Sequence, residues 1–157
     1  MRVIISLIAV GLLGYYKQIE SEAGQEASPS EVIEKVDKAV RLLEEKGAAG
    51  LDVIRDADSE FSWKDSYVFV VNCEADRVMA NAAFPDREGG DIKVHTDYNG
   101  KQYGLELCEA ANSSGRWIEY VWLKPGGKIP MRKISFVRSV ENYPYQVGQV
   151  YTMKRSP

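Results

Sequence analysis

The sequence predicts an α+β fold, in which a long N-terminal helix packs on a five-stranded antiparallel sheet that carries a short helical insert. Two observations predict it. Apolar residues recur at helical spacing near the N-terminal end, and β-branched and aromatic segments joined by short turns follow over the rest of the chain. The 157 residues, 45% of them hydrophobic and 27% charged, suit one domain with a sizeable core.

Composition and charge exclude several classes of function. The formal net charge of −3 argues against a nucleic-acid partner, whose phosphates require a concentrated basic surface. One histidine and two cysteines without a CxxC motif are too few for a structural zinc or a covalent haem site. We therefore predict no metal, no cofactor and no nucleic-acid partner.

The first residues have the pattern of a secretory signal peptide. A basic residue precedes an apolar run over 3–16, which is short of the roughly 20 residues that a membrane-spanning helix needs. Small residues at Ser21 and Ala23 suit cleavage after residue 23. We predict a signal peptide over 1–23 and one periplasmic or secreted domain over 24–157. An uncleaved membrane anchor and a buried amphipathic helix are the alternatives.

Export would place the two cysteines where a disulfide can persist. A bridge needs Cα atoms within about 7 Å, which the sequence cannot establish. Because unpaired cysteines are among the most buried residues, we expect Cys73 and Cys108 to be two separate thiols, with a disulfide as the open alternative.

A helix is predicted to begin at Ser28. Ser28 can cap it, Pro29 suits its first position, and Glu31 completes a capping box. Five apolar residues at helical spacing form one buried stripe: Val32, Val36, Ala39, Val40 and Leu43. Gly47 and Gly50 weaken the helix before the pattern resumes, which predicts either one broken helix or two in tandem.

The following segments predict a sheet with an insert. The run 67–72 is apolar at nearly every position, so both faces of this strand must be covered, as in a central strand. A turn at 74–76 leads to a hairpin partner over 77–82, and a short helix is predicted over about 101–112. Three further strands lie at 117–123, 131–140 and 146–153, and their short connections favour antiparallel pairing between neighbours.

Six segments in this order resemble a known family. They are FSWKDSYVFV (61–70), VMAN (78–81), DYNGK (97–101), WIEYVWLKPG (117–126), KISFV (133–137) and VGQVY (147–151). Together they resemble the single Cache domain, the extracellular PAS-like sensor module of bacterial chemoreceptors and kinases. The resemblance covers about residues 31–153.

The resemblance implies a PAS-like fold that binds a small ligand, often a short organic acid such as acetate, pyruvate or propionate, and that does not catalyse a reaction. Most relatives are tethered to a transmembrane helix and a cytoplasmic output domain. We expect this chain to be a stand-alone sensor that acts in signal transduction through a separate membrane receptor or kinase; a homodimer is left open. The alternative is a structural or interaction protein whose Cache pocket is filled by its own side chains.

Lys133 is the first candidate for ligand binding. A lysine within an apolar strand is costly to bury without a partner, and a bound carboxylate would be one. The family pattern also has a lysine at this position. The alternatives are a lysine that reaches solvent from an edge strand and a salt bridge to Glu119.

The other candidates are aromatic or amide side chains on the strands and the insert. A tyrosine hydroxyl can donate to a carboxylate while the rings close the cavity wall, although aromatic residues in a sheet are more often plain core. Asn81 stands where the family commonly has the histidine of an Ala-His-Pro motif, and its amide can still bind a ligand. The predicted set is Tyr120, Trp122, Tyr67, Phe69, Asn81, Trp63 and Tyr103.

No catalytic constellation is evident. His95 is the only imidazole and has no recognisable partner in the sequence. Asp97, Asn99 and Gly100 resemble part of a calcium loop, but the bidentate glutamate is missing, so turn capping is the better interpretation. We predict that the protein is not an enzyme.

Overall fold

The computed structural model describes residues 26–153. Helix α1 spans Pro29–Lys46, and the predicted capping box at Ser28 and Glu31 is confirmed, as is the buried stripe. Gly47 ends α1 with a positive φ of 54°, and its N–H donates to the Leu43 carbonyl. A second helix, α2, spans Ala49–Arg55. The two glycines therefore mark two helices in tandem.

The remaining elements follow the predicted order with small shifts of their ends. The sheet strands are β1 (Ser62–Trp63), β2 (Ser66–Asn72), β3 (Arg77–Asn81), β4 (Arg116–Leu123), β5 (Pro130–Ser139) and β6 (Gln146–Thr152). A single 3-10 turn covers Pro85–Arg87, and helix α3 covers Tyr103–Ala110. The sheet has one strand more than predicted, because the two-residue β1 forms a tight hairpin with β2, for which Lys64 adopts a positive φ of 52°.

The sheet is antiparallel throughout, in the order β3-β2-β6-β5-β4, with β1 also paired to β2. The central position predicted for β2 is confirmed, since its residues 66–71 are all buried. Strands β4, β5 and β6 pair as neighbours, as predicted. The connection over 82–115 joins the two outer strands β3 and β4 across one face of the sheet, and it carries the 3-10 turn and α3.

Each face of the sheet has its own core. Helix α1 lies over β2, β5 and β6, and the cluster on this face, which we call the α1 core, contains mainly aliphatic residues, among them Val36, Leu43, Val68 and Val147. The opposite cluster, the α3 core, lies under α3 and the connection; it contains Tyr67, Phe69, Val71, Val78, Ile92, Tyr103, Leu107, Ala110, Ile118, Tyr120, Val137 and Val150.

The expectation of two separate thiols is wrong, because Cys73 and Cys108 form a disulfide with Cα atoms 5.7 Å apart. Cys73 follows β2 directly and Cys108 lies on α3. The folded connection brings these positions together across the α3 core, although they are 35 residues apart in sequence. That proximity depends on tertiary structure alone.

The predicted signal peptide over 1–23 lies outside the described residues. Of the helices within residues 26–153, none combines the length and the apolar character needed to cross a membrane.

Candidate functional site

A small cavity lies in the α3 core, between the sheet and the connection that carries α3. Its volume is about 30 Å³, which corresponds to about one or two water molecules. It is lined by Tyr67, Phe69, Val71, Val78, Asn81, Phe84, Arg87, Ile92, His95, Tyr103, Leu107, Tyr120 and Trp122.

Strand alternation places the aromatic side chains of the wall. Tyr67 and Phe69 lie two apart on β2, and Tyr120 and Trp122 lie two apart on β4, so each pair projects from the same face of the sheet. A glycine is required opposite Phe69, because a Cβ at Gly148 would lie 2.2 Å from the phenyl ring. The ring therefore packs directly on the backbone of β6.

The cavity wall opposite the sheet is formed by the connection over 82–115. Two carboxylates, one buried and one partly buried, hold this connection in place. Asp97 accepts hydrogen bonds from the backbone N–H groups of Asn99, Lys101 and Val121, so it joins the start of α3 to β4. Burial alone would raise the pKa of Asp97, but the three N–H donors lower it below the usual value. Asp76 in the β2–β3 turn likewise accepts from two N–H groups of the connection.

Helix α3 approaches this connection closely, which sets the position of Tyr103. A Cβ at Gly104 would lie 1.8 Å from the Ile92 carbonyl oxygen, so only glycine allows the contact. Tyr103 then stacks on Tyr120 with ring centroids 4.6 Å apart. Tyr103 thus closes the cavity from the side opposite the sheet.

Two tyrosines of the cavity wall, Tyr120 and Tyr67, have different neighbours. The Tyr120 hydroxyl lies 2.7 Å from the Ser135 hydroxyl. The Tyr67 side chain is almost fully buried, and its ring meets the Phe84 ring edge-on with centroids 5.5 Å apart. Burial raises the pKa values of both the Tyr67 and the Tyr120 phenol well above their ordinary value, so both phenols stay protonated.

The cation at the cavity is Arg87, which the 3-10 turn presents. Its guanidinium lies over the Trp122 ring, 4.4 Å from the ring centroid. One guanidinium nitrogen, Nη2, lies 2.6 Å from Nδ1 of His95, which therefore accepts a hydrogen bond as neutral imidazole. Burial and the charge of Arg87 together lower the pKa of His95.

The polar lining of the cavity is rich in donors. It consists of Asn81, Arg87, His95 and the hydroxyls of three tyrosines, and none of the described lining residues is an aspartate or a glutamate. Burial raises the pKa of Tyr103, so this third phenol also keeps its proton. Such a cavity is suited to an anion or to a neutral group with acceptor oxygens.

Six of the eight predicted residues line the cavity: Tyr67, Phe69, Asn81, Tyr103, Tyr120 and Trp122. The carbonyl oxygen of the Asn81 side chain accepts from the Phe84 N–H, which orients the amide. That these residues contact a ligand stays a prediction.

Lys133 is fully buried but is not among the lining residues. Its ammonium donates to the Thr152 hydroxyl at 2.6 Å, on the face of the sheet that also carries Tyr120. Burial lowers the pKa of Lys133 to about 8. Neither alternative for Lys133 holds, because β5 is an interior strand and Glu119 pairs with Arg132 instead.

Trp63 lies on the other side of the sheet from the cavity. It is paired with Ser66 in the β1–β2 hairpin and packs against the α1 core, and the Lys35 ammonium lies 5.2 Å from its ring centroid. The prediction had placed Trp63 on the cavity wall. The two-residue strand β1 is too short to show an alternation that would indicate which face of the sheet Trp63 occupies.

Sequence reasoning missed three residues that line the cavity, which are Phe84, Arg87 and His95. These three residues belong to the irregular connection, where no alternation indicates which side chains point inward. The only indication of these residues in the sequence is that the segment between β3 and α3 contains charged, aromatic and turn-forming residues.

An antiparallel sheet with helices on one face, and a small aromatic cavity beneath a helix-bearing connection on the other, is a PAS-like architecture. The family model described as a Cache domain matches residues 53–155. The chain belongs to the Cache domain family, which confirms the resemblance.

Solved structures of similar fold agree with this assignment. A Cache chemosensory domain described for carboxylic acid recognition matches with a TM-score of 0.65 and 20% identity, over 80% of this chain and 92% of that chain. A periplasmic sensor domain of a chemotaxis protein matches with a TM-score of 0.60 and 24% identity, over 98% of this chain and 100% of that chain. A methyl-accepting chemotaxis protein from Vibrio parahaemolyticus matches with a TM-score of 0.64 and 16% identity, over 90% of this chain and 95% of that chain.

Proposed function

We propose that this protein is an extracytoplasmic sensor domain that binds a short organic acid in the cavity of the α3 core. Cache homologues are periplasmic sensor domains of chemotaxis proteins, and the family serves ligand binding and signalling rather than catalysis. The proposed output passes through a separate membrane receptor or kinase.

The donor-rich lining is the observation that supports an acid. A carboxylate accepts hydrogen bonds at both oxygens, and the cavity offers Arg87 as a cation and the Tyr67 hydroxyl as a further donor. The apolar remainder of the lining suits a short aliphatic chain.

Lys133 is the alternative counter-charge. Because the Lys133 ammonium donates to Thr152 and Arg87 lies on the cavity itself, we assign the acid to Arg87. Binding then requires the cavity to expand. Phe84 and Arg87 are half-buried on the connection, so their displacement enlarges the cavity without disturbing the strands.

Calorimetry with acetate, propionate and pyruvate tests the proposal. We expect the wild type to bind at least one acid, and Arg87→Met to weaken that binding by at least tenfold, because a charge-assisted hydrogen bond is lost while the side-chain length is kept. Arg132→Met is the matched control, since Arg132 is exposed and pairs with Glu119 away from the cavity; its affinity should equal that of the wild type.

Lys133→Met separates the two cations. A loss of affinity in Lys133→Met together with unchanged binding by Arg87→Met would contradict the assignment to Arg87. If none of the three acids binds to the wild type, the carboxylate proposal fails.

A second candidate function is favoured by the small volume of the cavity. With about 30 Å³ available, the aromatic side chains themselves nearly fill the space. In this alternative the domain binds no small molecule and acts through its surface as an interaction protein. A crystal structure of protein soaked with each acid distinguishes the two, because only the sensor shows an enlarged cavity that contains the acid.

A further inference from the structure

The contact between Arg87 and His95 has a consequence for how an anion enters the cavity. The guanidinium is a permanent cation and can only donate, so the His95 Nδ1 atom must accept and the imidazole must be neutral in the free protein. The single histidine of the chain therefore lies against the main cation of the cavity, with its ring nearly parallel to the Tyr103 ring.

A carboxylate bound at Arg87 changes this arrangement. Its oxygens compete with Nδ1 for the guanidinium donors, because a carboxylate is a stronger acceptor than a neutral imidazole. The displaced Nδ1 atom then faces a negative charge instead of a donor. Protonation of Nδ1 by a proton from solvent would turn it into a second donor to the same ligand.

We propose, building on the function proposed above, that Arg87 and His95 form a two-part carboxylate clamp and that the acid binds together with one proton taken up by His95. Arg87 supplies the permanent charge and His95 the charge that forms on binding. The negative charge of the bound acid and the positive charge of the proton taken up by His95 then cancel, so binding adds no net charge beside Arg87.

The charged groups around His95 are consistent with a change of protonation on binding. In the free protein burial and Arg87 lower the pKa of the ring, and two carboxylates, Asp76 and Asp91, raise it more weakly. Tyr103, the ring stacked on His95, is a protonated phenol and carries no charge. An additional carboxylate at Arg87 offsets the charge of the guanidinium, so it shifts the balance toward imidazolium.

The sign of the pH dependence follows from linkage. The proton is taken up between the pKa of His95 in the free protein and its higher pKa in the complex. As the pH rises between these two values, the dissociation constant increases by up to tenfold for each pH unit; below the lower value and above the higher value it is constant. Acetate, propionate and pyruvate stay ionised between pH 6 and 8, so their own titration does not contribute.

The test measures proton uptake directly in the full chain without an affinity tag. Acetate, propionate and pyruvate are titrated calorimetrically at pH 6, 7 and 8, in two buffers of different ionisation enthalpy. We expect the wild type to take up a fraction of one proton on binding and to bind more weakly as the pH rises. His95→Gln keeps an acceptor for Arg87 but cannot titrate, so its affinity should change less than twofold over this range.

The wild type provides an independent measurement. Nitrogen-15 NMR of its only imidazole reports the pKa of His95 with and without acid, and we expect the acid to raise it. Binding without proton uptake, an unchanged pKa of His95, or the same pH dependence in His95→Gln overturns the clamp and leaves the proposed function intact. Failure of all three acids to bind overturns both.

Discussion

The two cores on opposite faces of the sheet are built differently. In the α1 core, α1 places aliphatic residues such as Val36 and Leu43 against Val68 and Val147 of the sheet, and all four are fully buried. The α3 core contains three tyrosines with polar tips, a disulfide at its edge and a cavity. One face is filled by apolar side chains, whereas the other combines rings with hydrogen-bonding groups.

The difference shows how one sheet can carry both a fully packed core and a core that contains a cavity. The α1 core stabilises the fold by removing apolar area from water. The cover of the α3 core is an irregular connection, which is held by the Cys73–Cys108 bridge and by the carboxylates of Asp76 and Asp97. The disulfide and these hydrogen bonds hold the connection in place without close packing of every side chain, so a cavity can remain beneath it.

The largest expected effect breaks the α1 core. Leu43→Ala should lower the free energy of unfolding by about 2–5 kcal/mol, because Leu43 is fully buried and its loss leaves a void. Urea denaturation followed by circular dichroism measures this change. Leu105→Ala is the control, since Leu105 lies 38% exposed on α3 and should cost much less. If the folded Leu43→Ala protein lost affinity for the acid, the two cores would not be separate in function.

The second prediction releases the cover of the α3 core. Replacing both Cys73 and Cys108 by serine should lower the free energy of unfolding by about 2–4 kcal/mol, because the unfolded chain gains freedom. We also expect several-fold weaker acid binding, since α3 carries Tyr103 and Leu107 of the cavity wall. Calorimetry and urea denaturation measure the two effects.

Reduction provides the control for this prediction. Dithiothreitol should produce the same losses in the wild type and have no effect on the serine variant. Equal acid affinity in the oxidised wild type and the serine variant would show that the bridge stabilises the fold without positioning the cavity wall.

The smallest expected effect concerns Asp97. Asp97→Asn should lower the free energy of unfolding at pH 7 by about 1–3 kcal/mol, because an amide has one acceptor oxygen where the carboxylate accepts three backbone N–H groups. Asp58→Asn, at an exposed position, is the control and should be nearly neutral.

This effect has a defined pH dependence. The pKa of Asp97 in the fold lies below its ordinary value of 3.8, so its stabilisation is complete above that value and is lost as the pH falls through the lower, folded pKa. The difference in stability between wild type and Asp97→Asn should therefore shrink in acid. A difference that is the same at pH 7 and pH 2.5 would exclude the charge of Asp97 as its source.

The regular elements could be predicted because their signals are local. The capping box at Ser28 and the apolar stripe of α1 depend on residues within a few positions of one another. The unbroken apolar run of β2 indicated a strand covered on both faces, which the order of the sheet confirms. Alternation on β4 correctly placed Tyr120 and Trp122 on one face.

The site was predicted only in part, for a physical reason. Its strand residues follow from alternation, but Arg87 and His95 lie on an irregular connection whose path depends on contacts with distant residues. Lys133 has the chemistry expected of a counter-charge, yet its ammonium reaches Thr152 of the neighbouring strand. Whether Arg87 or Lys133 lines the cavity depends on distances between segments that are far apart in sequence, and local sequence patterns do not determine such distances.

The sequence by itself determined the helices, the strands and the faces on which the strand residues lie, since helical and strand periodicities are properties of neighbouring residues. Tertiary structure alone decided that Cys73 meets Cys108, that Trp63 lies away from the cavity and that Arg87 lies against His95. These contacts join segments that come together only when the connection folds back across the sheet and the two cores close.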